Sequence, residues 1–379
     1  MKKLLFVVEN LKLGGIQKSL CNLLRSENDK YEITLLLLDN EGEYTNLIPT
    51  NVKSVFLPEY FKVYAEPLSV LKKQPLLYTY KSLFCILTKL INKGAAFKIC
   101  SPFYRVEQEF DVAISFSHSG YYKGVNGICP EFVLQKVNAK KKICFIHCDY
   151  QNSGFRCKYN DSLYYRFDKI ACCSDSVRTN LVNANPQVSR KVVTVRNFYD
   201  LNYTHVIRGK MDLNPEKINI FSIARLSKEK GIVRAVRALA KSERKDICYY
   251  IIGDGPEKEE ILNIIADKGM ESRIILLGAK KEPLPFLKNA DYLLVPSYNE
   301  AAPMVYDEAK ALDVPVISTN TTSAEEMLTN INDMICENSE EGLIDVLKKI
   351  QKPTRIRSHH TTLNNDLQQA QFDELLNFN

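Results

Sequence analysis

The sequence predicts an α/β protein made of two domains in series, each a parallel sheet with crossover helices. Short apolar strands alternate with amphipathic helices along most of the 379 residues, a pattern typical of parallel sheets. The alternation stops in a polar stretch without periodicity at 199–214 and then begins again. A chain of this length also exceeds one ordinary core and suits two domains of about 150–200 residues each.

The first half opens with an apolar strand at 4–8, a turn at Gly14-Gly15 and a helix over 16–25. The other strands predicted in this half cover 32–38, 112–116, 142–146, 169–173 and 192–195. We therefore expect an N-terminal domain at 1–200.

The second half repeats the alternation. Its predicted strands cover 218–223, 248–252, 273–277, 292–295 and 314–318. Its predicted helices cover 231–240, 256–266, 302–312, 325–330 and 340–350. These elements predict a C-terminal domain at 201–355. Residues 356–379 are polar at first and end with spaced apolar side chains, so we expect a helical tail that docks on the N-terminal domain.

The cysteines and the hydropathy pattern bear on location. Eleven cysteines at irregular spacings, several inside apolar runs, indicate reduced thiols in a cytosolic compartment. A zinc cluster is an alternative for four of these positions, Cys144, His147, Cys148 and Cys157, but no paired Cys-x-x-Cys spacing supports it, and we expect no metal.

No run of about 18 apolar residues occurs, so a spanning helix is not expected. We expect a cytoplasmic protein, with the inner face of the cell membrane as a place of peripheral attachment.

The basic charge is concentrated in one segment. Residues 62–105 carry eight basic residues against one acidic residue, Glu66, and are rich in Tyr, Phe and Leu. Such a segment is typical of a surface that lies on an anionic membrane. A solvated helical face that covers the core explains the same pattern, and the sequence leaves both interpretations open. No nucleic-acid-binding motif accompanies the charge, so nucleic acid is not expected as a partner.

The sharpest local signal is a pair of carboxylates eight residues apart, Glu300 and Glu308. The first follows a predicted strand and the second lies inside a predicted helix. Pro303 suits the first turn of that helix, where backbone N–H groups are available to an anion. Taken alone, this spacing is common by chance and usually belongs to solvated helix charges.

Two strand-to-helix turns strengthen the signal. Arg225, Lys230 and Gly231 follow a predicted strand and open a helix, which brings fixed positive charge and amide donors to one place. The run 253–256, Gly-Asp-Gly-Pro, makes a second turn at the same edge, and Asp254 in it is interpreted as structural. The arrangement fits a diphosphate held without a metal ion.

With these motifs in place, 218–320 resembles the C-terminal domain of retaining glycosyltransferases of the GT-B fold, specifically family four. The resemblance rests on four elements in the family's order: Arg-x4-Lys-Gly, Gly-Asp-Gly-Pro, Leu-Gly at 277–278 and Glu-x7-Glu. In the first half, Gly14-Gly15 is similar to the family's glycine loop and Ile146-His147 to its histidine motif. The resemblance implies two Rossmann-like domains that face each other across a cleft, with 1–200 as the acceptor-binding domain and 201–355 as the nucleotide-sugar-binding domain.

The resemblance also implies roles for individual residues. Arg225 and Lys230 are expected to neutralise the donor diphosphate, and Glu300 and Glu308 to bind hydroxyls of the transferred sugar and of the ribose. His147 is expected to face the reacting sugar from the acceptor side. The remaining expected donor-binding residues are backbone or pocket positions, namely Gly15, Gly278, Ala279, Ala301, Ala302, Pro303 and Met304.

The sequence also departs from the family's pattern. Ala301-Ala302 follow the first glutamate where the family usually has glycine, and a Cβ there narrows the backbone conformations and reshapes the sugar pocket. Asp313 replaces the usual glycine after the helix, a milder change because Asp tolerates a left-handed cap. The first departure leaves the identity of the donor sugar open.

The resemblance predicts an enzyme that transfers a sugar, with retention, from a nucleoside diphosphate sugar to a hydroxyl of a glycan acceptor. A UDP-sugar is favoured, a GDP-sugar is the alternative, and the acceptor is expected to be lipid-linked, in the synthesis of capsule, O-antigen or another cell-surface polysaccharide. No Asp-x-Asp motif occurs in a suitable loop, so we expect metal-independent chemistry without a cofactor. One alternative is a GT-B binding subunit that has lost turnover. A nicotinamide-dependent oxidoreductase is a weaker one, because the first turn lacks Gly-x-Gly-x-x-Gly.

Overall fold

The computed structural model describes residues 1–120, 127–200, 211, 213–353 and 364–378. Contacts divide the chain into two compact units. The first unit comprises Met1–Tyr199 together with Asn365–Asn379, and the second comprises Asp200–Asn364.

The first unit contains a seven-stranded parallel sheet in the order β3-β2-β1-β4-β5-β6-β7. Its strands are β1 Lys3–Val8, β2 Glu32–Leu37, β3 Lys53–Phe56, β4 Val106–Ser115, β5 Val137–Ile146, β6 Lys169–Cys172 and β7 Val192–Thr194. Five of the six residues of β1 are buried, because this central strand has its two faces covered by helices and loops. The strand order reverses between β1 and β4, which is where sheets of this type bind ligands.

The second unit contains a six-stranded parallel sheet in the order β10-β9-β8-β11-β12-β13. Its strands are β8 Ile218–Ile223, β9 Ile247–Ile252, β10 Ile274–Gly278, β11 Tyr292–Val295, β12 Val316–Thr319 and β13 Met334–Cys336. Here the order reverses between β8 and β11. The fold class predicted from the sequence is confirmed, since each unit is a Rossmann-like parallel sheet with crossover helices.

Most of the described helices lie in the connections between strands, and the helix Glu340–Lys349 follows the last strand. Those of the first unit before residue 199 are α1 Gly15–Glu27, α2 Lys62–Ala65, α3 Leu68–Leu71, α4 Pro75–Leu90, α5 Lys93–Cys100, α6 Cys129–Lys136, α7 Lys158–Tyr165 and α8 Asp175–Ala184. Those of the second unit are α9 Ile232–Lys241, α10 Lys258–Asp267, α11 Leu284–Leu287, α12 Met304–Ala311, α13 Ala324–Met327 and α14 Glu340–Lys349. None of the described helices is both long and apolar enough to cross a bilayer.

The last helix, α15 Asp366–Leu376, belongs to the first unit. Phe372 is fully buried and its ring stacks against Phe6 of β1 at 6.3 Å between centroids. Tyr31 donates a hydrogen bond to Asp373 at 2.6 Å, and the Tyr199 backbone N–H donates to the Asn365 side chain at 2.8 Å. This helix therefore completes the core beneath the central strands of the first sheet.

Candidate active site

The predicted donor-binding residues follow neighbouring strands of the second sheet. Arg225 and Lys230 follow β8, Gly278 ends β10, and Glu300 follows β11. Because the sheet order is β10-β9-β8-β11 and all strands are parallel, these residues emerge at one carboxyl edge. The fold of the second unit therefore collects on one edge residues that are up to 75 positions apart in sequence, from 225 to 300.

An ion pair joins the turn after β8 to the turn after β11. The Lys230 Nζ lies 2.7 Å from the Glu300 Oε1, and the Ser297 hydroxyl donates to the same carboxylate oxygen at 2.7 Å. The Lys230 side chain is about one-third exposed, whereas that of Glu300 is mostly buried. An ammonium group has three donors. The pair therefore fixes both side chains and leaves the lysine able to bind a further anionic oxygen.

Gly231 allows the two turns to approach. Its φ is 64°, and a Cβ built there would lie 2.0 Å from the carbonyl oxygen of Pro296. The Tyr298 N–H also donates to the carbonyl of Glu229 at 2.9 Å. Any other residue at 231 would push the 296–298 segment away and separate Lys230 from its partner.

Arg234, which the sequence interpretation missed, lies behind this loop. It is buried, and its Nε donates to the Pro296 carbonyl at 2.9 Å while its Nη2 donates to the Asn338 Oδ1 at 2.7 Å. Its guanidinium carbon lies 3.7 Å from the centre of the Tyr298 ring, a cation–π geometry. Burial lowers the pKa of Arg234. The available sequence signal was a charged residue among apolar residues on the buried face of α9.

The Gly-Asp-Gly-Pro turn packs against the segment 224–226, which contains Arg225. A Cβ at Gly253 would lie 1.8 Å from the Ala224 carbonyl oxygen, and one at Gly255 would lie 2.4 Å from that of Leu226. The two glycines therefore permit a backbone approach that other residues exclude. Arg225 itself is exposed.

The neighbouring turn after β10 is open. Gly278 has a φ of 71°, and no atom lies within 4 Å of where its Cβ would be. Its carbonyl accepts a hydrogen bond from the Gly253 N–H at 3.0 Å, which ties the two turns together. The half-exposed backbone at Gly278 and the following Ala279 is thus accessible to a planar ligand group.

The predicted start of the helix that carries Glu308, at residue 302, is wrong by two residues. Helix α12 begins at Met304, and Pro303 precedes it as the N-cap residue with φ −69° and ψ 122°, so the proline is outside the first turn. Ala301 and Met304 are buried, Ala302 and Pro303 are half-buried, and Glu308 is buried at 2% exposure. Glu308 therefore sits in the interior of the unit, whereas Glu300 sits at the sheet edge.

Two predicted residues lie in the first unit, at the carboxyl edge of its own sheet. Gly15 begins α1, directly after the loop that follows β1, and His147 follows β5 directly. Ser117, beyond the end of β4, donates a hydrogen bond to the Glu9 carboxylate at the end of β1. Polar groups thus follow three strands that are adjacent in this sheet.

His147 is a neutral imidazole inside an aromatic environment. Its ring lies 4.9 Å from that of Phe116 and stacks on Phe145 at 5.7 Å between centroids. Its Nε2 is buried and has no hydrogen-bond partner within the described chain. Burial, followed by the nearby His118, lowers the pKa of His147 to about 3. The neutral ring can therefore donate to or accept from a ligand hydroxyl.

His118 is the second residue that the sequence interpretation missed. It lies three residues after β4, and its ring packs on Phe155 at 5.5 Å between centroids. Its Nδ1 is buried and, among the described residues, has no hydrogen-bond partner. Burial, followed by the charge of Lys93, lowers the pKa of His118 to about 4. Its position after a central strand, next to the reversal of strand order, was the signal available in the sequence.

The cysteines do not build a metal centre in the parts of the chain that are described. No group of three or more His, Cys, Asp or Glu side chains there comes together in a way that could hold a metal ion. The eleven cysteines, all of which lie within the described residues, form no disulfide. The Cys144–His147–Cys148–Cys157 alternative therefore has no support in the described structure.

The sequence and the fold are similar to those of known proteins. Residues 205–359 match the family model of glycosyl transferases group 1. The chain is 22% identical over 321 residues to the O-antigen biosynthesis glycosyltransferase WclY of Escherichia coli, covering 84% of this chain and 80% of the relative.

Two solved structures share the fold over nearly the whole chain. One is Alr3699/HepE of Anabaena in complex with UDP and glucose, with a TM-score of 0.64, 15% identity and coverage of 92% of this chain and 89% of that one. The other is sucrose-phosphate synthase of Thermosynechococcus elongatus, with a TM-score of 0.68, 14% identity and coverage of 99% and 96%. The chain is a glycosyltransferase of the GT-B fold, and its residues 205–359 match the family of glycosyl transferases group 1.

Proposed function

We propose that this glycosyltransferase moves a sugar from a nucleoside diphosphate sugar to a hydroxyl of a glycan acceptor, with retention of anomeric configuration. The observation that carries the proposal is the Lys230–Glu300 pair at 2.7 Å on the carboxyl edge of the second sheet. A UDP-sugar is the favoured donor and a GDP-sugar the alternative. The complex of HepE with UDP and glucose supports this choice, because that protein has the same fold.

The donor diphosphate would meet fixed positive charge at this edge. Lys230 and Arg225 supply two cations from one turn, and the first turn of α12 supplies backbone N–H groups. As the bond to the sugar breaks, negative charge grows on the departing diphosphate. Preorganised cations and N–H donors stabilise that charge, which makes electrostatic stabilisation the main catalytic contribution without a metal ion.

Three further contacts would orient the donor. The Glu300 carboxylate accepts hydrogen bonds from hydroxyls of the transferred sugar, and Glu308 accepts them from the ribose. The open backbone at Gly278 and Ala279 contacts the base. Ala301 and Ala302, beside Glu300, shape the pocket in which the sugar is selected.

His147 would act on the acceptor side. Because its imidazole is neutral, the buried Nε2 can accept a hydrogen bond from an incoming hydroxyl without carrying a competing charge. The acceptor oxygen attacks the anomeric carbon from the face that the diphosphate leaves. Its proton passes to the departing phosphate oxygen on that face, which balances the exchange and retains the configuration.

We further propose that the acceptor is a lipid-linked glycan in the synthesis of a cell-surface polysaccharide, such as capsule or O-antigen. WclY, which acts in O-antigen biosynthesis, supports this context. The enzyme would then work from the cytoplasm at the inner face of the membrane, through the segment 62–105, and would need no cofactor.

A donor screen tests the proposal. The wild-type protein is incubated with a panel of UDP- and GDP-sugars, with and without EDTA, and release of nucleoside diphosphate is measured. We expect turnover with one donor that EDTA does not reduce, and a loss of about 10²-fold or more in Glu300→Ala and in His147→Ala. The exposed Glu271→Ala, which removes a carboxylate that precedes β10 at the opposite, amino edge of the sheet, is the matched control and keeps full turnover.

Unchanged turnover in the Glu300 and His147 variants would refute the site. Binding of a donor without turnover in the wild type would support the alternative of an inactive binding subunit. Binding of a dinucleotide in place of any sugar nucleotide would favour the oxidoreductase alternative.

A further inference from the structure

Helix α4 leaves a large apolar surface uncovered. Leu76, Leu83, Ile86 and Leu90 are 87%, 51%, 55% and 73% exposed, although the helix is part of a folded unit. At 100° per residue these four positions fall within an arc of about 80° on the helix. Lys81, Phe84 and Thr88, which are buried, lie on the opposite side. The helix thus has one buried side and one apolar side that points to solvent; we call the latter, formed by Leu76, Leu83, Ile86 and Leu90, the 76–90 face.

The uncovered surface continues beyond α4. Ile91 follows the helix directly, Ile99 lies on α5, and Phe103 lies three residues after α5. Their exposures are 47%, 60% and 98%. Single exposed apolar side chains are ordinary on protein surfaces. Seven exposed Leu, Ile and Phe side chains within 28 residues, 76 to 103, are instead typical of an interaction surface.

The charge around this surface has one sign. Between Glu66 and Glu107 the chain has no acidic residue at all. The exposed basic side chains of the same stretch are Lys72, Lys73, Lys89, Lys98 and Arg105. An apolar face on a stretch of chain whose only charged side chains are cations matches the chemistry of an anionic lipid surface, where apolar groups enter the boundary layer and long basic side chains reach the headgroups.

The structure also separates these cations from those with an internal role. The Lys81 Nζ donates to the carbonyls of Val63 and Glu66, and burial lowers the pKa of Lys81 to about 8. The buried Lys93 donates to the Ser119 hydroxyl at 2.6 Å. These two lysines hold the segment together and are not available to a membrane, although the sequence alone does not distinguish them from the others.

We propose that the 76–90 face of α4 inserts into an anionic bilayer surface, with Ile99 and Phe103 as further insertion points and the exposed cations as headgroup contacts. The proposal deepens the peripheral attachment given above and rests on it, but it does not depend on the donor or on the reaction. A second copy of this chain fits the face poorly, because the charged side chains of residues 67–106 are all cations and self-association through this stretch would bring them against one another.

Vesicle sedimentation tests the proposal with the full-length protein. The lipids are phosphatidylglycerol mixed with phosphatidylethanolamine, and phosphatidylcholine alone as the neutral surface. One variant replaces Leu76, Leu83, Ile86 and Leu90 by Gln, and its matched control replaces Leu262 and Ile331, exposed apolar residues of the second unit, by Gln. A charge variant replaces Lys72, Lys73 and Lys89 by Gln.

We expect the wild type and the matched control to bind the anionic vesicles alike. The apolar variant should bind at least about tenfold more weakly, since four side chains no longer enter the lipid. The charge variant should lose a similar factor, and raising the salt from about 0.15 M to about 0.5 M should weaken the apolar variant much more than the wild type. Because all replaced side chains are exposed, the thermal midpoints should agree, which removes unfolding as an explanation.

Failure of the wild type to sediment with anionic vesicles would overturn the proposal, as would equal binding by the apolar variant. A wild-type dimer that the apolar variant converts to monomer, with vesicle binding unchanged, would also overturn it and assign the face to self-association. Nucleoside diphosphate release without vesicles is measured in parallel. Vesicle binding without turnover in any donor would refute the proposed function and leave the membrane contact standing.

Discussion

The two sheets carry different chemistry at their carboxyl edges. In the second unit the edge is ionic, and the Lys230–Glu300 pair is partly open to solvent. In the first unit two imidazoles at the edge, those of His118 and His147, are held uncharged among aromatic rings. An exposed ion pair suits a highly charged ligand, whereas uncharged imidazoles suit hydroxyl groups. One fold, used twice, thus supports the two different binding tasks that a sugar transfer requires.

The largest expected effect comes from removing the cation of the second unit. Lys230→Ala deletes the ammonium beside Glu300, so charge on the departing diphosphate loses a fixed partner. We expect kcat/KM for the best donor to fall by about 10²- to 10³-fold, a loss of about 3–4 kcal/mol of transition-state stabilisation. Nucleoside diphosphate release under steady-state conditions measures it.

Lys228→Ala is the matched control for that change, since Lys228 belongs to the same turn but is exposed. It should keep turnover within about threefold of wild type. Equal losses in the two variants would mean that the charge of the turn matters and the Lys230–Glu300 geometry does not.

An intermediate effect is expected from the support behind the ionic edge. Arg234→Met leaves the Pro296 carbonyl and Asn338 without their donor, and the loop that carries Glu300 loses its backing. We expect the free energy of unfolding of the second unit to fall by about 2–3 kcal/mol, and turnover to fall about tenfold. Urea unfolding and donor turnover check the two parts.

Arg237→Met provides the comparison, because Arg237 lies on the same helix and its pair with Glu260 is about half exposed on each side. This substitution should lower the free energy of unfolding by less than about 1 kcal/mol. Full turnover in Arg234→Met would show that the loop keeps its geometry without the arginine.

The smallest effect concerns the two uncharged histidines of the first unit and the pH dependence of stability. The pKa values of His147 and His118 are lowered to about 3 and about 4, from an ordinary value of 6.5 for histidine. Between those values and 6.5 the unfolded chain binds protons that the folded chain does not, so the free energy of unfolding falls as pH falls through this window. Each histidine contributes a loss of about 1 kcal/mol at roughly pH 5.5.

Replacing either histidine by Gln, which does not titrate, should make the stability of the protein less steep between about pH 6.5 and about pH 4.5. Urea unfolding at several pH values measures the slope. The same slope in wild type and variants would show that the rings are charged in the folded protein.

The sequence predicted the strands best where burial is continuous. Strand β1 has five consecutive buried apolar residues, whereas β3, Lys53–Phe56, has mostly exposed residues at the sheet edge and gave no signal. Start positions of helices shifted by one or two residues, as at Met304, because a proline is compatible with both N-cap and first-turn positions.

Lys230 and Glu300 could be singled out from the sequence because a cation next to a glycine follows one predicted strand and a carboxylate follows another. Arg234 and His118 were missed because their partners come from loops distant in sequence: Asn338, for example, is 104 residues from Arg234. The local sequence also does not show which lysines of 62–105 are exposed. Lys81 and Lys89 both lie among apolar residues of α4, yet packing buries the first and exposes the second.

The position of α15 also affects how the protein is made. Its Phe372 fills the core under β1, so the first unit is interrupted by the whole of Asp200–Asn364. A ribosome that adds about 5–20 residues per second needs on the order of 10 s to synthesise that stretch before α15 emerges. During this interval the second unit can already fold, while the nascent first unit exposes the apolar core surface that α15 later covers. The order of maturation is therefore the reverse of the order of synthesis, and the early half of the chain is the part that most needs protection by chaperones.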